Sequence, residues 1–263
     1  MVKKILKYVF LAAVMLFIYT PIFVLILYSF TDTTLIGQWD GFSMNLYAKL
    51  FGDAELMAVV GRTLLLAVIA SAISVILGTA GAIGIYYSKK RAAAVLNTVN
   101  NLPVVNAEIV TALSLALTFA LVLKFMNQTW ASLIIGHVVI TLPFVVLSVM
   151  PRLKQMDANV YEAALDLGAS PTRALFTVVI PEILPGMLSG FMLSVTLSLD
   201  DYIVTTFTKP SSIDTISTYV YNAVKVPGHS ALPELRALSA IIFLAIILVV
   251  VLMNVLKKKE AQR

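Results

Sequence analysis

The sequence predicts an all-α fold: a polytopic membrane bundle of six transmembrane helices with a two-helix loop on the cytoplasmic side. Three observations predict it. Hydrophobic residues make up 60% of the 263 and charged residues only 13%, whereas a soluble chain carries about 25% charged residues. Apolar runs recur at lengths suited to the roughly 20 residues that cross a bilayer as a helix, the form in which a segment satisfies its own backbone polar groups in lipid. Finally, the basic clusters Lys3, Lys4 and Lys7, then Lys89, Lys90 and Arg91, then Lys257, Lys258 and Lys259 all flank apolar runs. The net charge of +5 is therefore read by location, as positive-inside bias. A basic face on a soluble domain, as nucleic acid would require, is not expected.

The spans are placed near 8–30, 58–87, 103–123, 131–150, 187–207 and 236–256, within one domain covering 1–263. The first follows a basic start, is too long for a signal-peptide core and lacks a small-residue cleavage site, so it is expected to stay as an anchor. With the N-terminus inside, Lys89–Arg91 after span two, Arg152, Lys154 and Arg173 after span four, and the C-terminal lysines after span six all fall on one side. Both termini are expected in the cytoplasm. Before span three, Asn97, Asn100, Asn101 and Pro103 interrupt an apolar stretch, which reads as a short cytoplasmic helix broken at Pro103. Trp39, Trp130 and several tyrosines suit the membrane interface. In span two, Ser71, Ser74, Gly78, Gly81 and Gly84 form a small-residue stripe for close helix contact. The absence of cysteine excludes disulfides and thiolate metal sites.

The loop at 151–186 is too long for a simple turn. Asn159 and Glu162 have capping-box spacing, Ala163 and Ala164 are strong helix formers of little bulk, and Gly168 can take the left-handed conformation that ends a helix. Ser170-Pro171 reads as a new N-cap with proline at the first helical position. Pro181 and Pro185 are expected to close this second helix before span five. An ordinary pair of amphipathic interfacial helices is the alternative reading.

Glu162-Ala163-Ala164, then Gly168, then Val178-Val179-Ile180-Pro181 resembles the EAA loop of permeases in ATP-binding-cassette importers, with Ile180 where the family usually has leucine. The resemblance implies a type I importer permease whose loop docks on an ATPase subunit through Glu162, Ala163, Ala164, Gly168 and Pro181. No Gly-x-x-x-x-Gly-Lys-Ser/Thr sequence occurs, so nucleotide is expected to be hydrolysed by a separate partner. The chain is not expected to be an enzyme: no catalytic constellation or metal ligand set is visible, and no cofactor is expected.

Ionisable groups within a bilayer are costly and usually face a cavity or a partner. Glu108 in span three and Asp200 with Asp201 in span five stand out. Span five also carries Gly186, Gly190, Ser194 and Ser198 at every fourth position, so on a continuous helix Asp201 joins a closely packing stripe and Asp200 its edge. Three carboxylates favour a cation, particularly one with several ammonium groups. Alternatively, the aspartates cap a helix break or pair with a partner's base, and Glu108 meets water near the cytoplasmic end. His137 reads as a satisfied interior histidine and Pro143 as a kink, without chemical roles.

Ser198-Leu199-Asp200-Asp201-Tyr202 with Thr205-Thr206-Phe207 resembles the fifth-span segment of spermidine/putrescine importer permeases. Gln38-Trp39-Asp40-Gly41-Phe42, Tyr47 and Leu50-Phe51 are similar to their first outer loop, and Thr141-Leu142-Pro143-Phe144-Val145-Val146 to their fourth span. The resemblance implies a bacterial inner-membrane subunit forming part of a polyamine path. A second homologous permease, two copies of a cytoplasmic ATPase and an extracytoplasmic substrate-binding protein are its implied partners, besides membrane lipid. Trp39 and Tyr47 are candidate path residues by cation–π contact, or else interfacial anchors. Another organic cation or a metal complex is the alternative cargo. An ion-coupled secondary transporter using the three acids is the alternative mechanism, and it leaves the structured loop unexplained.

Overall fold

The computed structural model describes residues 2–33, 37–225, 233–244 and 247. Among these residues every regular element is helical. The chain separates into two compact units, one drawn from positions 1–58 and 220–263 and the other from 59–219.

The first unit is led by α1 (Val2–Tyr28), which contains Pro21 and whose stretch Leu6–Tyr28 includes an 18-residue window of mean hydropathy 2.7. A short helix the sequence reading did not anticipate, α2 (Asn45–Gly52), buries Leu46 and Leu50. At the other end of the chain, the buried guanidinium of Arg236 donates to the carbonyl oxygen of Thr33 at 2.7 Å and more loosely to that of Tyr28 at 3.4 Å. These bonds tie residues around the expected start of span six to the C-terminal end of α1.

The long helix α3 (Ala54–Tyr86) begins in the first unit and runs into the second. There follow α4 (Lys90–Val105), α5 (Glu108–Leu117), a π-helical turn at Thr118–Val122, a 3-10 turn at Lys124–Met126 and α6 (Trp130–Gln155). Then come α7 (Ala158–Asp166), α8 (Pro171–Ala174), a second π-helical turn at Leu175–Val179, α9 (Ile180–Asp200), α10 (Ile203–Thr208) and α11 (Ile216–Lys225). Four stretches are long and apolar enough to cross a membrane: Leu6–Tyr28, Ala54–Tyr86, Trp130–Gln155 and Pro171–Asp200. The pair α4 and α5, extended to Val122 and bent by 103°, passes the same test together and brings the number to five if it is one span. Most of the sixth expected span, 236–256, lies outside the described residues.

The second unit is organised around α6. Its N-terminus is fixed by a reciprocal capping box, in which Thr129 Oγ1 accepts from Ser132 N–H and Ser132 Oγ accepts from Thr129 N–H. Small residues bring three neighbouring helices against it. A Cβ on Gly78 of α3 would lie 2.8 Å from Val145 Cβ, and one on Gly190 of α9 only 3.2 Å from Val145 Cα. A Cβ on Gly186 would meet Arg152 Cγ at 2.9 Å and the Ser148 carbonyl oxygen at 3.0 Å, and one on Gly136 of α6 would meet Val204 of α10 at 2.9 Å. Such close backbone approach needs small residues at the contact. Ser74 and Thr141 share a 2.7 Å hydroxyl bond across α3 and α6. Of the glycine stripe expected in α3, only Gly78 is tight, since Gly84 has no atom within 4 Å of a built Cβ. Ala82, Ile85, Val145, Val146, Val149, Leu153, Met156, Val179 and Ile183 complete this core.

Three local expectations are corrected. Pro103 lies inside α4, and the break falls at Asn106–Ala107, both extended, where the axis turns by 103°. Pro103 removes a donor near the helix end, yet the Asn106 N–H still bonds the Leu102 carbonyl and carries the helix past it. Pro181 and Pro185 do not separate α8 from span five: helical structure continues from Pro171 to Asp200. The π-helical turn at Leu175–Val179 changes the bonding pattern just before Pro181 and so accommodates its missing N–H. Span five is also not continuous to 207, because α9 ends at Asp200 and α10 starts at Ile203.

Candidate functional site

Span five breaks where the sequence places two adjacent aspartates. Asp201 is extended (φ −65°, ψ 122°), and its carboxylate then serves the exposed N–H groups at the start of α10. Asp201 Oδ1 accepts from Val204 N–H at 3.2 Å, while Oδ2 accepts from Thr205 N–H and from the Thr205 hydroxyl, each at 2.7 Å. A carboxylate at a helix start satisfies donors that have no partner within the helix and suits the dipole there. Asp201 is only 4% exposed. Its neighbour Asp200, the last residue of α9, is exposed.

His137 of α6 sits against this break, fully buried. Its Nδ1 is 2.8 Å from Ser198 Oγ of α9 and its Nε2 is 2.9 Å from Thr205 Oγ1 of α10. The Nε2–Asp201 Oδ2 distance of 3.6 Å is beyond hydrogen bonding. A satisfied interior histidine was expected. That Ser198 and Thr205 are its partners was not, because nothing in local spacing relates position 137 to positions 198 and 205.

Glu108 joins the same region. It opens α5, and α10 packs against both α5 and α6. Glu108 directly follows the 103° bend that separates α4 from α5. It is exposed and close enough to Asp201 and Asp200 for the three carboxyls to act on one another's charge. Among the described residues, neither Glu108 nor Asp200 has a basic side chain within ion-pair distance. Two exposed carboxylates and one buried one thus gather where α4 bends into α5 and α9 gives way to α10, in a surrounding that an incoming cation would neutralise.

Trp39 and Tyr47 belong to the first unit. Trp39 packs edge-on against Tyr28, with ring centroids 6.3 Å apart, and leaves 52% of its surface exposed. Tyr47 is half-buried beside Phe30, which also stacks on Phe42, and its hydroxyl shares a 2.8 Å hydrogen bond with Ser29 Oγ. Nearby, Asp32 accepts from Asn45 Nδ2 at 2.8 Å and pairs with Lys49 at 3.2 Å. The Asn45 hydrogen bond first, and then Lys49, hold its carboxyl below the ordinary value.

The loop at 151–186 forms two helical pieces joined by a tight corner. Asp157, not Asn159, caps α7, its side chain accepting from the Asn159 N–H at 3.0 Å. Both residue types are good caps, but the backbone enters the helix two residues earlier than the Asn159 reading requires. Glu162 and Ala163 are exposed and Ala164 is half-buried. Gly168 has φ +88°, and its N–H and that of Ala169 bond the carbonyls of Leu165 and Ala164, a glycine-terminated end of the expected kind. Ser170 Oγ caps α8 through Arg173 N–H, with Pro171 at the first helical position.

This corner is anchored on the membrane helices. Tyr161 of α7 packs on Tyr87, just past α3, with centroids 5.6 Å apart, while Val179 is buried in the α3–α6–α9 core. Ile83, Tyr87, Tyr161, Pro171, Thr172 and Leu175 line an open hollow of about 270 Å³ at the corner.

Comparison with known proteins bears on both regions. The family profile described as "Binding-protein-dependent transport system inner membrane component" matches residues 72–259. The chain is 30% identical over 235 residues to the putrescine transport system permease protein PotI of Escherichia coli, covering 88% of this chain and 83% of that one. It is 30% identical over 262 residues to the spermidine/putrescine transport system permease protein PotC of the same organism, covering 100% and 97%. The corresponding protein of Haemophilus influenzae is 31% identical over 255 residues, 97% of each chain. A chain from the crystal structure of a bacterial ABC transporter involved in the import of the acidic polysaccharide alginate superposes with a TM-score of 0.75 at 17% identity, covering 98% of this chain and 96% of that one. At that identity the likeness speaks for the fold.

Proposed function

The chain belongs to the binding-protein-dependent transport system inner membrane component family, and we propose that it forms part of the path by which polyamines enter the cell. It is a transport subunit of the inner membrane that works with other components of an ATP-binding-cassette importer. The observation that carries the polyamine reading is the convergence of Glu108, Asp200 and Asp201, two of them exposed and unpaired with any base among the described residues, where α4 bends into α5 and α9 gives way to α10. A diammonium or triammonium ion gains charge-assisted hydrogen bonds from such a group, whereas a neutral or anionic solute gains little or is repelled. The permeases named for putrescine and spermidine, to which the whole chain is similar, support the same reading.

In this reading six spans cross the membrane and both termini face the cytoplasm. A second, similar permease completes the path, an extracytoplasmic binding protein delivers substrate, and a pair of ATPase subunits docks on the cytoplasmic loops. Glu162, Ala163, Ala164 and Gly168 form the docking corner, with Pro181 leading from it into span five. Tyr161 and Val179 link that corner to α3 and α6. ATP binding moves the corner, and the packed helices shift between inward and outward access as a population shift. Trp39 and Tyr47 stand as candidate contacts on the path, Trp39 through its exposed face.

Reconstitution tests this. The chain with its partner permease, ATPase and binding protein is expected to accumulate radiolabelled putrescine in liposomes only when ATP is supplied on the ATPase side. Accumulation by the chain alone under an ion gradient would contradict the coupled reading.

A further inference from the structure

With a neutral imidazole and the Asp201 carboxylate as acceptor, the hydrogen bonds of the histidine beside the break run in one direction. The Thr205 hydroxyl donates to the Asp201 carboxylate, 2.7 Å away, and its single proton is thereby used. Thr205 Oγ1 must then accept from His137, so the proton on the neutral ring is at Nε2. Nδ1 is left as an acceptor, and Ser198 O–H donates to it at 2.8 Å. The chain of donors therefore runs from Ser198 on α9, through His137 on α6 and Thr205 on α10, to Asp201 at the break. Each member is at most 4% exposed. Both halves of the broken span are thus fastened to the same imidazole, which reaches each from a third helix.

We propose that His137 is a positioning residue for substrate recognition, acting through this hydrogen-bond relay to fix the corner at Asp200–Tyr202. The relay engages one oxygen of the Asp201 carboxylate, Oδ2. Asp200, one residue earlier, is held outward beside Glu108. A slip of α10 against α9 changes where the Asp200 carboxylate points without removing any charge. The relay therefore controls how well two exposed carboxylates meet one multivalent cation, and it leaves the ATP-driven step untouched. The inference rests on the substrate reading given under Proposed function.

The test uses the full transporter in liposomes, with radiolabelled putrescine at varied concentration and the amount of assembled complex measured in parallel. Ser198→Ala removes the single link to α9 and Thr205→Val removes both links of the Thr205 hydroxyl, each leaving the ring in place, and Thr205→Ser keeps the hydroxyl. Each link-breaking variant is expected to raise half-saturation roughly tenfold, with maximal uptake per complex within about twofold of wild type. Thr205→Ser is expected to behave as wild type, and adding Thr205→Val to Asp200→Asn is expected to cost little beyond Asp200→Asn alone, as for groups acting as one unit. Wild-type half-saturation in Thr205→Val, with Asp200→Asn impaired, overturns the relay. Loss of assembled complex at unchanged half-saturation also overturns it, assigning these bonds to folding alone. Unimpaired uptake in both Asp200→Asn and Glu108→Gln overturns the substrate reading, and the relay's role falls with it.

Discussion

The Asp201 carboxylate and the Thr205 hydroxyl lie 2.7 Å apart across the break between α9 and α10, and the same carboxylate oxygen accepts the Thr205 backbone N–H at 2.7 Å. Adjacent aspartates therefore have different work: Asp201 ends one helix and starts the next, while Asp200 keeps its charge exposed. Asp201→Ala is expected to lower stability by about 1–2 kcal/mol, the usual cost of a lost N-cap. Asp201→Asn, which keeps an acceptor oxygen, is expected to cost less. Thermal unfolding of the purified complex measures both.

The approach of α9 to α6 gives a second expectation. Gly186→Ala places a methyl 2.9 Å from Arg152 Cγ and 3.0 Å from the Ser148 carbonyl. The arginine stem can shift, but the carbonyl is backbone, so the helices must separate. Overpacking of this kind costs about 1–3 kcal/mol. Gly84→Ala, with nothing within 4 Å, is expected to be neutral or to stabilise α3 by up to about 1 kcal/mol through helix propensity. Comparing the unfolding midpoints of the two variants checks the packing account.

The corner at Gly168 should separate transport from hydrolysis. Gly168 holds φ +88°, a conformation that strains a β-branched residue by about 1–2 kcal/mol. Gly168→Val and Glu162→Lys are expected to leave insertion intact while uptake per ATP hydrolysed falls several-fold, as lost coupling between sites requires. Parallel measurement of ATP hydrolysis and putrescine uptake decides it. Normal uptake by both variants contradicts a coupling role for this corner.

Acid should loosen the segment around α2. Asp32 is held below its ordinary value of 3.8 by Asn45 and Lys49. Its contribution is complete above that ordinary value and is lost as pH falls through the lower folded value. Amide exchange in Asn45–Gly52 is expected to quicken on acidification below about pH 4 in the wild type. Asp32→Asn, which lacks the titrating group, is expected to lose that pH dependence.

The long spans were legible because composition and charge placement act locally, and the corner at Gly168 and Ser170-Pro171 because left-handed and N-cap positions have few suitable residues. The turn at Asn106–Ala107 was not, since neither residue is a strong helix breaker and Pro103 drew the expected break toward itself. Asp157 lost to Asn159 in the sequence reading because the chain offers two caps within one turn. The early start of span five was hidden by Pro181 and Pro185, which a π-helical turn accommodates. The identities of the acidic residues were readable. That α5 and α10 pack together and bring Glu108 to Asp200 and Asp201 is a long-range outcome that no local periodicity encodes.

The central claim is that the exposed carboxylates at the α4–α5 and α9–α10 breaks recognise a multivalent cation. Its most direct test is concentration-dependent uptake of radiolabelled putrescine by reconstituted Asp200→Asn and Glu108→Gln transporters, with assembly and ATP hydrolysis measured alongside. Each variant is predicted to raise half-saturation by roughly tenfold or more, the scale of one lost charge-assisted contact, with the complex fully assembled. Unchanged half-saturation in both would contradict the account.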